Sequence, residues 1–384
     1  MRYYMGFSAK TLKAVHKTVK GDVQIFDPDA KVEALDSGSV VINKILGVGG
    51  YPKGRITEIY GDFSSGKTTA SMHAIKSCQK EKKGALFMDF EETFDALYAK
   101  SLGISLDESD LIVLQPKTLE NGWQWLIDNF KNQDFVDALG LIVIDSVAAM
   151  TPAAQLEGDA ASGGGIGLMA RKLAEFLPWL VKVISKPQIP VILINQERLN
   201  LAKAMNKYAG GPDTLSTGGK AVQFYNTCKL HLKVKASEKE KRENPLTGVA
   251  EEMKVLNRVR VACMKNKVSF PFLQGDIIIR FGKGIDNFLA LLDIAMAKGK
   301  IERGGGGYYT FKSCLNDETH RVRGKSELDN FFKDNPKEYG ALEEWFANAQ
   351  VSYMSDEEVE EMKASEKVEP SEGENEGLEV FSLE

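Results

Sequence analysis

Nowhere in this chain of 384 residues do eighteen apolar residues run together, so a membrane-spanning helix is excluded. The first residues lack the apolar core of a secretory signal, and export is not expected. Cysteine and histidine are scarce, at four each. Cys78, Cys228, Cys263 and Cys314 are scattered, with no C-x-x-C pair and no histidine cluster beside them, which argues for a reducing compartment and against a structural zinc site. Acidic residues are missing from Met1 to Lys20. There Lys10, Lys13, Lys17 and Lys20 accompany Phe7, Leu12, Val15 and Val19 at roughly helical intervals, so a basic amphipathic helix is expected rather than a transit peptide.

The net charge of −5 conceals an asymmetry. Ser355 to Glu384 holds twelve acids and two lysines, which leaves the preceding residues with about +5. This tail is poor in apolar residues and rich in Glu and Ser, and is expected to be disordered, serving solubility or competing with a polyanion for a basic surface. The remaining length suits one large α/β domain with one or two small attachments.

The most informative segment is Gly61, Asp62, Phe63, Ser64, Ser65, Gly66, Lys67 and Thr68, which fits the phosphate-cradling pattern G-x-x-x-x-G-K-[ST]. Arg55 to Tyr60 alternates like a strand before it. Thr68 to Lys80 reads as a helix after it, with Ala70, Ala74, Ile75 and Cys78 on an apolar face. The glycines let the backbone bend its N–H groups toward phosphate oxygens, where the helix dipole adds positive potential. Lys67 is expected on the β- and γ-phosphates of ATP, with the Thr68 hydroxyl on Mg²⁺. Thr69 reads as a first-turn residue beside them.

Strands and helices alternate onward. Gly84 to Phe90, Leu141 to Asp145 and Ile189 to Gln196 read as buried parallel strands, and Leu119 to Phe130 and Leu168 to Ile184 as helices, the second kinked or ended by Pro178. From Lys229 the style shifts to alternating strands, Lys229 to Lys235, Val255 to Met264 and Gly275 to Phe281, so a mixed sheet ending in antiparallel strands is expected. The charged stretch Ala236 to Thr247 reads as an exposed turn. Phe288 to Lys298 looks helical, Gly304 to Gly307 turns into a strand at Tyr308 to Phe311, and Ser326 to Ala349 looks helical again.

Two acidic sites lie downstream of the phosphate loop. Four apolar residues followed by Asp145 and Ser146 match the strand whose carboxylate orients Mg²⁺-bound water. In Asp89-Phe-Glu91-Glu92, a carboxylate at a strand mouth is placed to hold an attacking water and accept its proton, and spacing alone leaves Glu91 and Glu92 equal.

Gly49 to Thr69 resembles the phosphate-loop region of the RecA recombinase family, and Asp145 to Pro152, Asn195-Gln196, Thr217 to Gly219 and Lys265-Asn-Lys267 follow in the family's order. The resemblance extends from about Asp36 to about Tyr309, with a weaker continuation to Asn335. It implies that Glu91 activates water, that Asp95 and Tyr98 contact and stack on adenine, and that Gln196 senses the γ-phosphate. Lys265 and Lys267 are implied to reach a neighbouring subunit's ATP in trans. Two segments match the family's DNA loops. The first, Glu157 to Ile166, places Ile166 as a wedge between bases, and Arg171 follows it as a phosphate contact. The second, Glu197 to about Leu215, offers Arg198, Lys203 and Lys207 to phosphates and Tyr208 for stacking. Phe224 matches an interface phenylalanine. Three consecutive glycines in the first loop, Glu197 at the root of the second, that loop's extra length, and Pro178 depart from the family's pattern.

The resemblance implies an α/β fold: a RecA-like P-loop ATPase core with a mixed, mostly parallel sheet, an N-terminal oligomerisation helix and strand, and a small α+β C-terminal domain. The expected boundaries are 1–35 for the oligomerisation segment, 36–285 for the core, 286–350 for the C-terminal domain and 351–384 for the tail. The implied function is ATP- and Mg²⁺-dependent recombination: a helical filament on single-stranded DNA pairs it with homologous duplex DNA and exchanges strands, in DNA repair and the SOS response to DNA damage. Head-to-tail association of this kind does not close on itself. The expected location is the cytoplasm of a bacterial or phage-infected bacterial cell. Two other readings are a ring-forming helicase motor, against which Lys265 and Lys267 stand where an arginine finger is usual, and a non-catalytic DNA-coating mediator, against which the intact phosphate loop stands.

Overall fold

The computed structural model describes residues 31–156, 167–199, 214–243, 246 and 248–348. The expected N-terminal helix and strand and the acidic tail lie outside the described residues. Described residues from Ala34 onward belong to one compact unit, and among them no helix is long and apolar enough to cross a membrane.

The chain begins with β1 (Ala34–Leu35), α1 (Val40–Leu46), β2 (Tyr51–Pro52) and β3 (Ile56–Gly61). It continues through α2 (Lys67–Lys80), β4 (Gly84–Asp89), α3 (Ala96–Ser101), β5 (Leu111–Leu114), α4 (Leu119–Asn129), α5 (Gln133–Ala138) and β6 (Leu139–Asp145). Next come α6 (Ala153–Leu156), α7 (Leu168–Ser185), β7 (Val191–Leu199), β8 (Thr214–Ser216) and α8 (Gly219–Tyr225). The antiparallel part comprises β9 (Cys228–Glu243), β10 (Ala250–Asn266), β11 (Gln274–Arg280) and β12 (Gly284–Ile285). Last are α9 (Asn287–Ala297), β13 (Ile301–Arg303), β14 (Tyr308–Lys312), β15 (Thr319–Arg323), α10 (Lys325–Asp334) and α11 (Pro336–Asn348).

The main sheet has the order β12-β11-β10-β9-β3-β7-β6-β4-β5, with β8 beside β7. Strands from β5 to β9 along this order pair in parallel, and β10 to β12 pair antiparallel. The mixed sheet expected from the sequence is therefore present. Its central strands are covered on both faces, so their apolar runs split by period two. In β6, Leu141 and Val143 join one core with Ala70, Ile75 and Cys78 of α2, while Ile142 and Ile144 join the other with Leu173, Leu177 and Leu180 of α7. A separate three-stranded sheet, β13-β14-β15, packs with α9, α10 and α11 around its own apolar cluster, which includes Tyr309, Phe311, Leu328 and Phe346.

Two expectations are corrected and one is narrowed. Pro178, expected to kink or end its helix, does not end α7, which runs to Ser185. Phe176, Leu177 and Leu180 are buried around it, and at about 2 kcal/mol each they outweigh the roughly 3 kcal/mol that an internal proline costs. The charged stretch from Ala236 to Glu243 is not a turn but the outer part of β9, laddered to Ala250–Arg258 of β10. Cross-strand pairs such as Lys239 with Glu252, 3.7 Å apart, suit a solvent-facing ribbon that has no apolar alternation to reveal it. The helix expected from Ser326 to Ala349 is two helices, α10 and α11, parted at Asn335, which precedes Pro336 and takes an extended φ of −120°.

Candidate nucleotide and DNA coupling site

Strand register gathers the candidate residues. Gly61 at the end of β3 lies opposite Gln196 of β7, and Asp89 at the end of β4 lies opposite Asp145 of β6. Four adjacent strands thus deliver their carboxyl ends to one edge, where α/β sheets place ligands.

The loop after β3 requires its glycines. Gly66 has φ +88°, and a Cβ there would lie 2.1 Å from Ile279 Cδ1. α2 opens at Lys67 with no side-chain cap and no acid in its first turn, so its N–H groups and dipole face the loop. Lys67 is buried and donates to the carbonyls of Gly61 (3.1 Å) and Asp62 (2.8 Å). Burial lowers its pKa, opposed by the charges of Asp145, Glu91 and Asp62. Asp62, Phe63 and Ser64 are exposed.

The Thr68 hydroxyl donates to Asp145 Oδ2 at 2.8 Å. Burial, with the nearby charges of Glu91 and Asp89, raises the Asp145 carboxyl to about 6, against the Thr68 bond. Two hard oxygen ligands side by side fit Mg²⁺, which is held by one or two protein oxygens plus substrate phosphates. Among the described residues no group of three His, Cys, Asp or Glu converges as a fuller cage. The Ser65 hydroxyl is buried without a hydrogen-bond partner, a polar atom available to a bound phosphate.

The structure separates the two glutamates that spacing left equal. Buried Asp89 accepts the backbone N–H groups of Thr93 (3.2 Å) and Phe94 (3.0 Å), folding the segment after β4 back on itself. Glu91 turns inward: its Oε1 accepts the Gln196 amide at 2.7 Å and the Ser146 hydroxyl. Glu92 is exposed.

Beside the loop lies a cavity of about 310 Å³ lined by Ser65, Gly66, Thr69, Tyr98, Asn257 and Phe281, among others. The Thr69 and Tyr98 hydroxyls are 3.1 Å apart, and Asp95 caps α3 by accepting Tyr98 N–H at 2.9 Å. Asn257 and Phe281 went unnoticed in the sequence because they come from β10 and β11, far along the chain and without a local motif.

Comparison with known proteins places this geometry. Residues 9–286 match the RecA N-terminal domain. The chain is 36% identical over 338 residues to Protein RecA of Thermotoga maritima, covering 87% of this chain and 88% of that protein. It is 36% identical over 327 residues to Protein RecA of Bacillus cereus (84% and 87% covered) and 35% identical over 317 residues to that of Lactobacillus acidophilus (82% and 79%).

The chain belongs to the RecA family. As a RecA-family protein it is a DNA-dependent ATPase that uses ATP with Mg²⁺, forms filaments on single-stranded DNA and exchanges strands with homologous duplex.

The remaining site residues expected from the RecA resemblance are placed unevenly. Lys265 folds back on its own subunit, its ammonium donating to the Asn226 carbonyl and Asn226 Oδ1, each at 2.8 Å, and to the Gln223 carbonyl at the end of α8. Lys267 is exposed at the end of β10, as are Phe224 on α8, at 69%, and Arg171 on α7. Arg198 lies on β7. Ile166, Lys203, Lys207 and Tyr208 lie outside the described residues.

Proposed function

We propose that Lys67, Thr68, Asp145, Glu91 and Gln196 form the cis half of a composite ATP site, and that Lys265 and Lys267 of the neighbouring subunit complete it. The supporting observation is that the ends of β3, β4, β6 and the register of β7 bring the start of α2, Glu91, Asp145 and Gln196 to one sheet edge, with Thr68 bonded to Asp145 and Gln196 to Glu91. The loop N–H groups and Lys67 bind the phosphates, and Thr68 and Asp145 hold Mg²⁺, which when bound neutralises charge on the β- and γ-phosphates. Asp95 and Tyr98 receive the adenine in the adjoining cavity. Glu91 Oε1 is occupied by two donors, so its other oxygen is the one that accepts the proton of the attacking water.

Withdrawal of the γ-phosphate frees Gln196, whose strand leads directly into the second DNA loop. Ile166, Arg171, Arg198, Lys203, Lys207 and Tyr208 contact DNA in this reading, by wedging, phosphate pairing and stacking. For Lys265 to act in trans it must leave the α8 carbonyls, so subunit association and its release are linked. We assign 1–35 to subunit linkage, 36–285 to the ATPase core, 286–350 to a C-terminal domain and 351–384 to an acidic tail, and place the protein at work in the cytoplasm of a bacterial or phage-infected cell. The test is the ATPase rate with and without single-stranded DNA for wild type, Lys265→Ala and Lys267→Ala, with micrographs of the same mixtures. Retained DNA stimulation in both variants would remove the trans assignment.

A further inference from the structure

Glu58 sits in the middle of β3 with no exposed surface. Among the described residues no ion pair includes it. Its Oε1 accepts the side-chain amide of Asn195 at 2.9 Å and its Oε2 that of Asn226 at 2.8 Å, and both asparagines are buried. An apolar residue at this position alone would leave two buried amide donors unpaired, and only replacing the whole trio by apolar residues of similar volume is the kind of change that is often neutral or stabilising. Burial alone therefore gives no reason for a polar trio here.

The two asparagines supply a different reason, because each has a second task. Asn195 Oδ1 accepts the Gln196 backbone N–H at 2.9 Å, and its Nδ2 also donates to the Thr217 carbonyl at 2.7 Å, where β8 returns from the second DNA loop. Asn226 Oδ1 accepts the Lys265 ammonium at 2.8 Å. Planar amides have fixed donor and acceptor ends, so a carboxylate that accepts from both holds both in one orientation.

We propose that Glu58 is a positioning residue that couples Gln196 to the Thr217 end of the second DNA loop and to Lys265. The coupling rests on the reading of Gln196 as phosphate sensor and Lys265 as trans cation. A movement of Gln196 is passed to Asn195, which shares its amide between Glu58 and Thr217, and through Glu58 to Asn226 and the lysine it retains.

The test measures the ratio of DNA-stimulated to DNA-free ATPase rate in the full-length chain, with nucleotide affinity and melting temperature alongside. Glu58→Gln places an amide donor against an asparagine donor. The ratio is expected to fall at least ~10-fold while DNA-free nucleotide affinity stays within about 2-fold, a split that general loosening of the fold would not give. Adding Asn226→Asp restores donor-to-acceptor matching, and should return the ratio to within about 3-fold of wild type. An unchanged ratio in Glu58→Gln, or a folded double variant that stays uncoupled, would overturn the proposal. Gln196→Ala separates the two ideas. If it keeps stimulation, the sensor reading fails; if it loses stimulation while Glu58→Gln keeps it, only the coupling fails. Should Glu58→Gln not fold, amide hydrogen exchange of the wild-type chain with ADP against a non-hydrolysable ATP analogue decides: protection should change together at Gln196, Thr217 and Asn226, and a response confined to Gln196 overturns the coupling.

Discussion

Gln196 donates its side-chain amide to Glu91 across 2.7 Å, although 105 residues separate them in the chain. The bond joins the proposed γ-phosphate sensor to the proposed water-activating base, so each responds to the other's position. Replacing Glu91 by Gln keeps the shape and removes the base. Turnover on saturating single-stranded DNA should fall at least ~100-fold, while ATP binding and filaments persist. Steady-state ATPase assays and micrographs check this, and wild-type turnover would remove Glu91 from the role.

Lys67→Ala tests the phosphate loop itself. In the folded chain the Lys67 ammonium bridges the Gly61 and Asp62 carbonyls, so its loss removes both the proposed phosphate cation and a brace of the loop. ATP binding and stable filaments should both disappear, read by nucleotide titration and light scattering. Filaments that still require ATP in this variant would show that Lys67 is not the ion that links nucleotide to assembly.

Legibility followed the distance over which each feature is encoded. The phosphate loop, α2 and Asp145 were readable because a glycine pattern, a helical period and an apolar run ending in acid are local. Glu91 and Glu92 were indistinguishable by spacing, since the distinction comes from the bonds of Asp89 to Thr93 and Phe94 and from Gln196, which only the strand order brings close. Asn257 and Phe281 reached the cavity through the antiparallel register of β10 and β11, which no motif announces. Local propensity left Pro178 to kink or end its helix, and the tertiary burial of Leu177 and Leu180 is what carries α7 past it. The charged half of β9 misled because a solvent-facing ribbon carries no apolar alternation.

The acidic tail from Ser355 to Glu384, at a local charge of −10, follows a body of about +5. If it competes with DNA for that body, deleting it should strengthen DNA binding most at low salt, with the difference fading as salt screens the competition. Affinity measured across a salt series for both chains decides the matter, and equal affinity at low salt would sink the idea.

His73 provides a pH dependence of stability apart from the chemistry. Its Nε2 accepts the Ile285 backbone N–H at 2.9 Å, which requires that nitrogen to be unprotonated, and links α2 to β12. Burial, with Lys76 and Lys80 nearby and Asp36 opposing, lowers its pKa to about 4, against roughly 6.5 in an unfolded chain. The folded state therefore binds this proton less tightly than the unfolded state. The contribution is complete above about pH 6.5 and is lost as pH falls toward 4, amounting to about 3 kcal/mol at most because the ring is partly exposed. His73→Gln can accept the same N–H without titrating. Denaturant unfolding of both chains between about pH 7.5 and pH 4.5 should show wild type losing stability faster than the variant through this window. Parallel losses would mean that protonation of His73 does not contribute.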